Sequence, residues 1–212
     1  MGDMDTIEIQ RPVRATAEHW WHRERRMLLA RTAERFVARR ALHLGGACDA
    51  RVLADRGWDV VAIDSSGTRV DTARCAGLDA RLGDPCALPL DDEEFHFVSA
   101  LDILPTKNDR AAISEIARVL LPDGIAFLTV STRHHDRRSI TALARSVGLR
   151  VERVRYRNVL LGGALRRRPG LLTKALPTHI NRRIAHLSAL ERRLPLGAVP
   201  GGTLVALVRK PL

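Results

Sequence analysis

Apolar residues come in short runs separated by longer, mostly polar stretches. The runs at 41–45, 59–63, 78–82, 95–101, 125–130, 150–156 and 203–208 read as strands. The stretches at 48–56, 67–76, 108–121 and 137–147 read as helices between them. Gly57, Gly77, Gly124 and Gly148 stand where a helix should stop or a strand begin. Upstream, Trp20, Met27, Leu28, Phe36 and Val37 give an imperfect helical face over 18–39, while residues 1–17, interrupted by Pro12, read as a mobile leader. Such alternation implies a mainly parallel sheet of seven strands with helices on both faces, because parallel strands need crossover connections. It breaks after Tyr156. Residues 157–202 are too long for a simple crossover and read as an insertion, or cap, placed before the last strand. That leaves 18–156 and 203–212 as the core. Within the insertion Ile180, Ile184, Leu187, Leu190 and Leu194 recur at helical spacing, with Pro177 and Thr178 as a start and Pro195 as a stop.

Composition narrows the class. At 212 residues and 45% hydrophobic, the chain suits one domain with a real core. Asp3, Asp5 and Glu8 do not suit a secretory signal, and no uncharged apolar run approaches the ~20 residues of a membrane span. Cys48, Cys75 and Cys86 form no Cys-x-x-Cys pair, so neither a disulfide framework nor a structural zinc site is expected, and the expected compartment is the cytoplasm. The net charge is +11. It is concentrated between Arg150 and Leu194, where twelve basic residues face only Glu152 and Glu191. Such a stretch either attracts phosphate groups or is a solvated face. An aromatic content of 4% is poor for stacking on nucleic-acid bases, so nucleic acid is not the expected partner.

The most informative run is Ala41-Leu-His-Leu-Gly-Gly-Ala-Cys-Asp49, followed by Asp59-Val-Val-Ala-Ile-Asp64. A strand, a glycine turn, a short helix and a second strand ending on a carboxylate make the opening of a Rossmann-like nucleotide site: glycine lets backbone approach the ligand, and the acid accepts from ribose hydroxyls. With Gly83-Asp84, Ala87-Leu-Pro-Leu90, Phe95 to Leu101, Glu115 to Gly124, Ile125 to Val130 and Val205 to Pro211 in order behind it, the chain resembles the class I S-adenosylmethionine-dependent methyltransferases from about Glu18 onward. The resemblance implies a mainly parallel seven-stranded Rossmann-like sheet and S-adenosylmethionine as cofactor. It places His43, Gly45, Gly46, Ala47, Asp64, Ser65, Asp84 and Leu101 at the cofactor, with Asp64 toward ribose and Asp84 toward the adenine amino group. Glu18 to Arg26 resembles the helix that precedes the core and closes over the cofactor.

The departures from that pattern matter too. His43 takes the place of an acid, and Ala47 and Asp49 replace the second and third glycines. A Cβ at Ala47 would narrow the approach of backbone to ligand, and Asp49 adds a side chain and a charge. His96 stands where Asp is common, and Pro105 follows Leu104 where an acidic-His pair is common. Either the site has drifted and still transfers methyl to a small or lipid-linked substrate, or the scaffold serves a non-catalytic binding or regulatory protein. No catalytic residue is assigned. His134 or His135, after the fifth strand, is the candidate base, and His134-His135-Asp136 could alternatively bind a metal or be a solvated loop. His19 and His22 lack a visible third ligand. Trp20 and Trp21 either stack on the cofactor or anchor their helix. Tyr156 reads as packing at the end of the sixth strand. Cys48, at a helix N-terminus, is expected to have a lowered pKa. Arg166 to Arg168, set among leucines, would suit an anionic membrane surface or a phosphate-bearing substrate.

Overall fold

The computed structural model describes residues 19–104, 108–162, 176–194 and 196–212. In chain order these form α1 (Trp20–Ala33), β1 (Arg40–Leu44), a 3-10 turn (Ala47–Ala50) running into α2 (Arg51–Ala54), β2 (Asp59–Asp64), α3 (Gly67–Cys75) and β3 (Asp79–Leu82). Then follow β4 (Phe95–Leu101), α4 (Asp109–Val119), β5 (Leu120–Ser131), α5 (Arg137–Ser146), β6 (Arg150–Arg157), α6 (Thr178–Glu191), a 3-10 turn (Leu196–Ala198) and β7 (Thr203–Arg209). The strands make one sheet in the order β3-β2-β1-β4-β5-β7-β6. Pairing is parallel from β3 through β5, whereas β7 runs antiparallel to both β5 and β6. This is the mainly parallel, Rossmann-like α/β sheet that the alternation implied.

Period-two alternation divides the side chains between two cores. Leu42, Leu44, Ala126, Leu128, Ala206 and Val208 join Ile113 and Ile116 of α4 and Ile140 of α5 on one face. Ala41, Phe97, Phe127 and Leu207 join Leu29 of α1, Leu53 of α2 and Val70 of α3 on the other. A register shift between Phe95 and Phe97 puts Phe95 in the first core and Phe97 in the second. Burying a strand on both faces in this way consumes most of its apolar surface, which is why these runs read as nearly continuous.

Several element boundaries differ from the pattern reading. The helix expected over 18–39 ends at Ala33, because the chain must turn to let Phe36 pack on Phe97 and to let Arg39 accept from Asp59 N before β1. The helix expected at 48–56 is a 3-10 turn plus one turn of α-helix, since Gly57 already closes it with a bond to Ala54 O. The fifth strand starts at Leu120 rather than 125, because Leu120 already pairs with Phe95. Gly124 therefore lies inside it, where a Cβ would stand 2.7 Å from Leu121 O.

Within the expected insertion, α6 lies against α1. Ile184 and Leu187 pack on Trp20, Trp21 and Leu161, Asn181 Oδ1 accepts from Trp20 N at 2.7 Å, and Arg192 donates to the buried Glu24. Ile180, Leu190 and Leu194 of the same pattern stay exposed, so only two of its five apolar positions are used. Arg166 to Arg168 lie outside the described residues. Among the described residues no helix is long and apolar enough to cross a membrane.

Candidate functional site

β1 and β4 are neighbours, but their connections leave toward opposite edges of the sheet. A crevice opens outside the carboxyl ends of the strands at such a switch point. One lip is the turn after β1, with Gly45 and Gly46 at φ +76° and +61°. That left-handed backbone favours glycine, and a Cβ on Gly45 would lie 2.1 Å from Ile103 Cγ2, so the segment after β4 closes directly onto the turn. The other lip is Asp102, whose N–H and carboxylate are fixed by Thr129 Oγ1 at 3.0 and 3.1 Å.

Asp64 ends β2 beside this turn and is 2% exposed. It accepts from Ala47 N at 3.1 Å, Ser66 N at 2.9 Å and the Arg69 guanidinium through three contacts of 2.7–3.0 Å. Burial alone would raise its pKa, but the Arg69 hydrogen bonds and the two backbone N–H groups hold it below the usual carboxylate value. Gly83 N donates to Asp64 O, which brings the Gly83-Asp84 segment alongside, where exposed Asp84 accepts from Cys86 N through its own side chain. Ser65 is exposed, and Leu101 is a buried member of the core at the end of β4.

The two replaced glycines do not crowd the turn as expected. The Ala47 methyl is fully buried in the core beneath it. The Asp49 carboxylate is turned toward α1, where it accepts from Arg25 at 3.1 Å and Arg26 at 3.2 Å. Arg25 also reaches Asp102 Oδ2 at 3.3 Å and His22 Nδ1 at 2.7 Å. One buried guanidinium thereby ties α1 to both lips of the crevice. Burial and the neighbouring Arg25 lower the His22 pKa to about 4, which keeps its imidazole neutral. The resemblance pointed to α1 as the closing element; Arg25, Arg26, Arg69, Asp102 and Ile103 were not among the expected residues.

His43 is completely buried, with Nδ1 2.7 Å from Ser99 Oγ, and burial lowers its pKa. Ser99 Oγ also lies 3.4 Å from Leu42 O, and His43 Nε2 is buried without a hydrogen-bond partner. Cys48 corrects the expectation of a lowered pKa: burial and the nearby Asp49 and Asp64 raise it. Trp20 and Trp21 anchor α1 in the small core shared with Leu161 and α6. His19 caps α1 by accepting from Trp21 N. Tyr156 packs against the core at the end of β6, its hydroxyl 3.4 Å from Arg137 N. His96 lies near Arg39, away from the crevice, and Pro105 lies outside the described residues.

A cavity of about 290 Å³ adjoins the crevice at the ends of β4 and β5, lined by Asp102, Leu104, Val130, Ser131, His134 and His135. His134 is exposed. His135 is buried; its Nε2 has no hydrogen-bond partner and stands 3.7 Å from Asp109 Oδ2. Asp136 is committed elsewhere, to a reciprocal capping box with Ser139 at the start of α5. Among the described residues no cluster of three potential metal ligands occurs.

A family model described as a methyltransferase domain matches residues 42–128. An uncharacterized methyltransferase of Mycobacterium tuberculosis is 35% identical over 129 residues, 58% of this chain and 53% of the relative; one of Mycobacterium bovis matches equally. The chain thus spans about half the length of the curated relatives it matches. Among solved structures, a TehB-like S-adenosylmethionine-dependent methyltransferase from Corynebacterium glutamicum superimposes with a TM-score of 0.58 at 18% identity, over 85% of this chain and 86% of that one. The [4+2]-cyclase SpnF gives 0.57 at 21% identity, over 88% and 81%. At these identities the likeness is one of fold.

Proposed function

We propose that this chain is a class I S-adenosylmethionine-dependent methyltransferase that transfers a methyl group to a small acceptor held in the cavity beside His135. The acceptor class is one whose nucleophilic oxygen or nitrogen must lose a proton. The carrying observation is the pairing of a polar crevice at the β1/β4 switch point with an adjoining cavity lined by His135, whose buried Nε2 has no hydrogen-bond partner.

The residues fit the cofactor. Asp64 would hold the ribose end. Its carboxylate has about four lone-pair positions, already filled, so Arg69 must yield. Arg69 is half exposed and can do so cheaply. Arg25 and Asp102 offer opposite charges for the carboxylate and ammonium of the methionine end, and His43 Nε2 is a buried polar atom without a partner. When bound, S-adenosylmethionine supplies an electrophilic methyl group on a sulfonium. The protein has only to align the acceptor and take its proton. His135 Nε2 takes that proton, and the Asp109 carboxylate at 3.7 Å stabilises the resulting imidazolium. The three cysteines are free, which fits a reducing cytoplasm.

The test is label transfer from methyl-labelled S-adenosylmethionine across phenols, alcohols, amines and carboxylates, with His135→Asn beside wild type. A hydroxyl or amine acceptor should be methylated, and H135N should lose ~10²–10⁴ of kcat with S-adenosylhomocysteine affinity unchanged. Equal rates in both proteins would remove His135 from the reaction.

A further inference from the structure

On the sheet face that carries α1, the far edge of β7 and β6 is covered by side chains instead of a helix. Period-two alternation sends Val154 and Tyr156 of β6 into the core on the α4/α5 side and Arg153, Arg155 and Arg157 to the opposite face. There they line a groove together with Arg35 just beyond α1. Its floor is the core itself, where Leu28, Phe127 and Leu207 are buried and Val205 is partly exposed. Among the described residues no acidic one lines it.

Arg40, Arg69, Arg81, Arg118 and Arg209 each meet a carboxylate. Arg35, Arg153 and Arg155 have no carboxylate partner among the described residues. Arg157 is half-buried with its Nε unbonded, and the acids that act on it, Glu24 and Glu191, are engaged by Arg192 and by Leu160 N respectively. Successive arginines on one strand face stand ~6.8 Å apart, so the four like charges repel one another. An anion bound among them would remove that repulsion.

We propose that this groove binds a phosphate-bearing ligand carrying at least two negative charges. Guanidinium forks match phosphate oxygens two at a time, and several forks converging on one groove favour a multiply charged phosphate over a single carboxylate. The site lies away from the crevice and does not depend on methyl transfer.

Inorganic pyrophosphate is the probe, titrated calorimetrically into the full chain at low salt, with malonate as the carboxylate comparison. Wild type should bind pyrophosphate more tightly than malonate, with affinity falling as salt rises. Arg153→Gln/Arg155→Gln, both exposed positions, should weaken pyrophosphate at least tenfold. Arg182→Gln/Arg183→Gln on α6 removes equal charge and should leave it unchanged. Vesicles containing phosphatidic acid form the second arm: binding displaced by pyrophosphate assigns the phosphate to a lipid headgroup, and pyrophosphate binding without vesicle binding assigns it to a soluble ester. S-adenosylhomocysteine affinity should be the same in every variant, which keeps this result separate from the methyltransferase reading. No pyrophosphate binding by wild type, equal binding of malonate, or equal weakening by the α6 pair would overturn the proposal.

Discussion

Removing Arg69 should tighten cofactor binding, although it deletes a charge contact to the proposed ribose anchor. Asp64 receives five contacts on two oxygens, three of them from Arg69. A ribose diol can reach the carboxylate only by displacing that guanidinium. The backbone donors Ala47 and Ser66 would stay. Because Arg69 is half exposed, its pair with Asp64 is worth about 0.2–1 kcal/mol after solvent screening. Arg69→Ala spares the ligand that expense, a gain of roughly 1.4- to 5-fold in affinity. Asp64→Ala acts the other way: losing hydrogen bonds to a charged acceptor costs about 1.5–3 kcal/mol, roughly 10- to 150-fold. It also strands the buried Ala47 N–H, so stability should fall by ~1–3 kcal/mol, and binding must be read below the melting transition. Calorimetric titration with S-adenosylhomocysteine reads both variants. Weaker binding by Arg69→Ala, or no change with folded Asp64→Ala, would refute the assignment of Asp64 as the ribose acceptor.

Three further outcomes are expected. Restoring glycine at both Ala47 and Asp49 should weaken cofactor binding and lower the melting temperature, because Asp49 is the partner that holds Arg25 over the crevice; tighter binding would show that the turn is crowded after all. Asp84→Ala should weaken S-adenosylhomocysteine less than Asp64→Ala, since Asp84 is exposed and bonded only within its own turn; an equal loss would contradict that ranking. Stability should fall as pH drops from about 6.5 toward about 4, because the unfolded chain protonates His22 there while the native chain keeps it neutral. The loss is at most roughly 3 kcal/mol, and His22→Gln should flatten that part of a pH series of denaturant titrations.

How much was legible depends on the reach of each interaction. Strands buried on both faces announce themselves as short continuous apolar runs, so the sheet and its order of elements could be read, and Asp64 could be placed because it ends its own strand. Helix ends were less legible. The early end of α1 is set by Phe36 packing on Phe97, and the early start of β5 by Leu120 pairing with Phe95; both are contacts across the fold. The same holds for Arg25, whose partners Asp49 and Asp102 are 24 and 77 residues away. Only Arg69 carried a local signal, a cation one turn into the helix that follows an acid. The meaning of Ala47 and Asp49 was misjudged because a glycine motif says where backbone is bare and nothing about where a replacing side chain turns.

The central claim is a working cofactor site at the β1/β4 switch point. The most direct measurement is calorimetric titration of the unaltered chain with S-adenosylhomocysteine and, separately, S-adenosylmethionine. A single saturable site for each, abolished or strongly weakened in Asp64→Ala, is the expected result. No heat and no thermal stabilisation at millimolar ligand would contradict the account and leave the chain a scaffold without its cofactor.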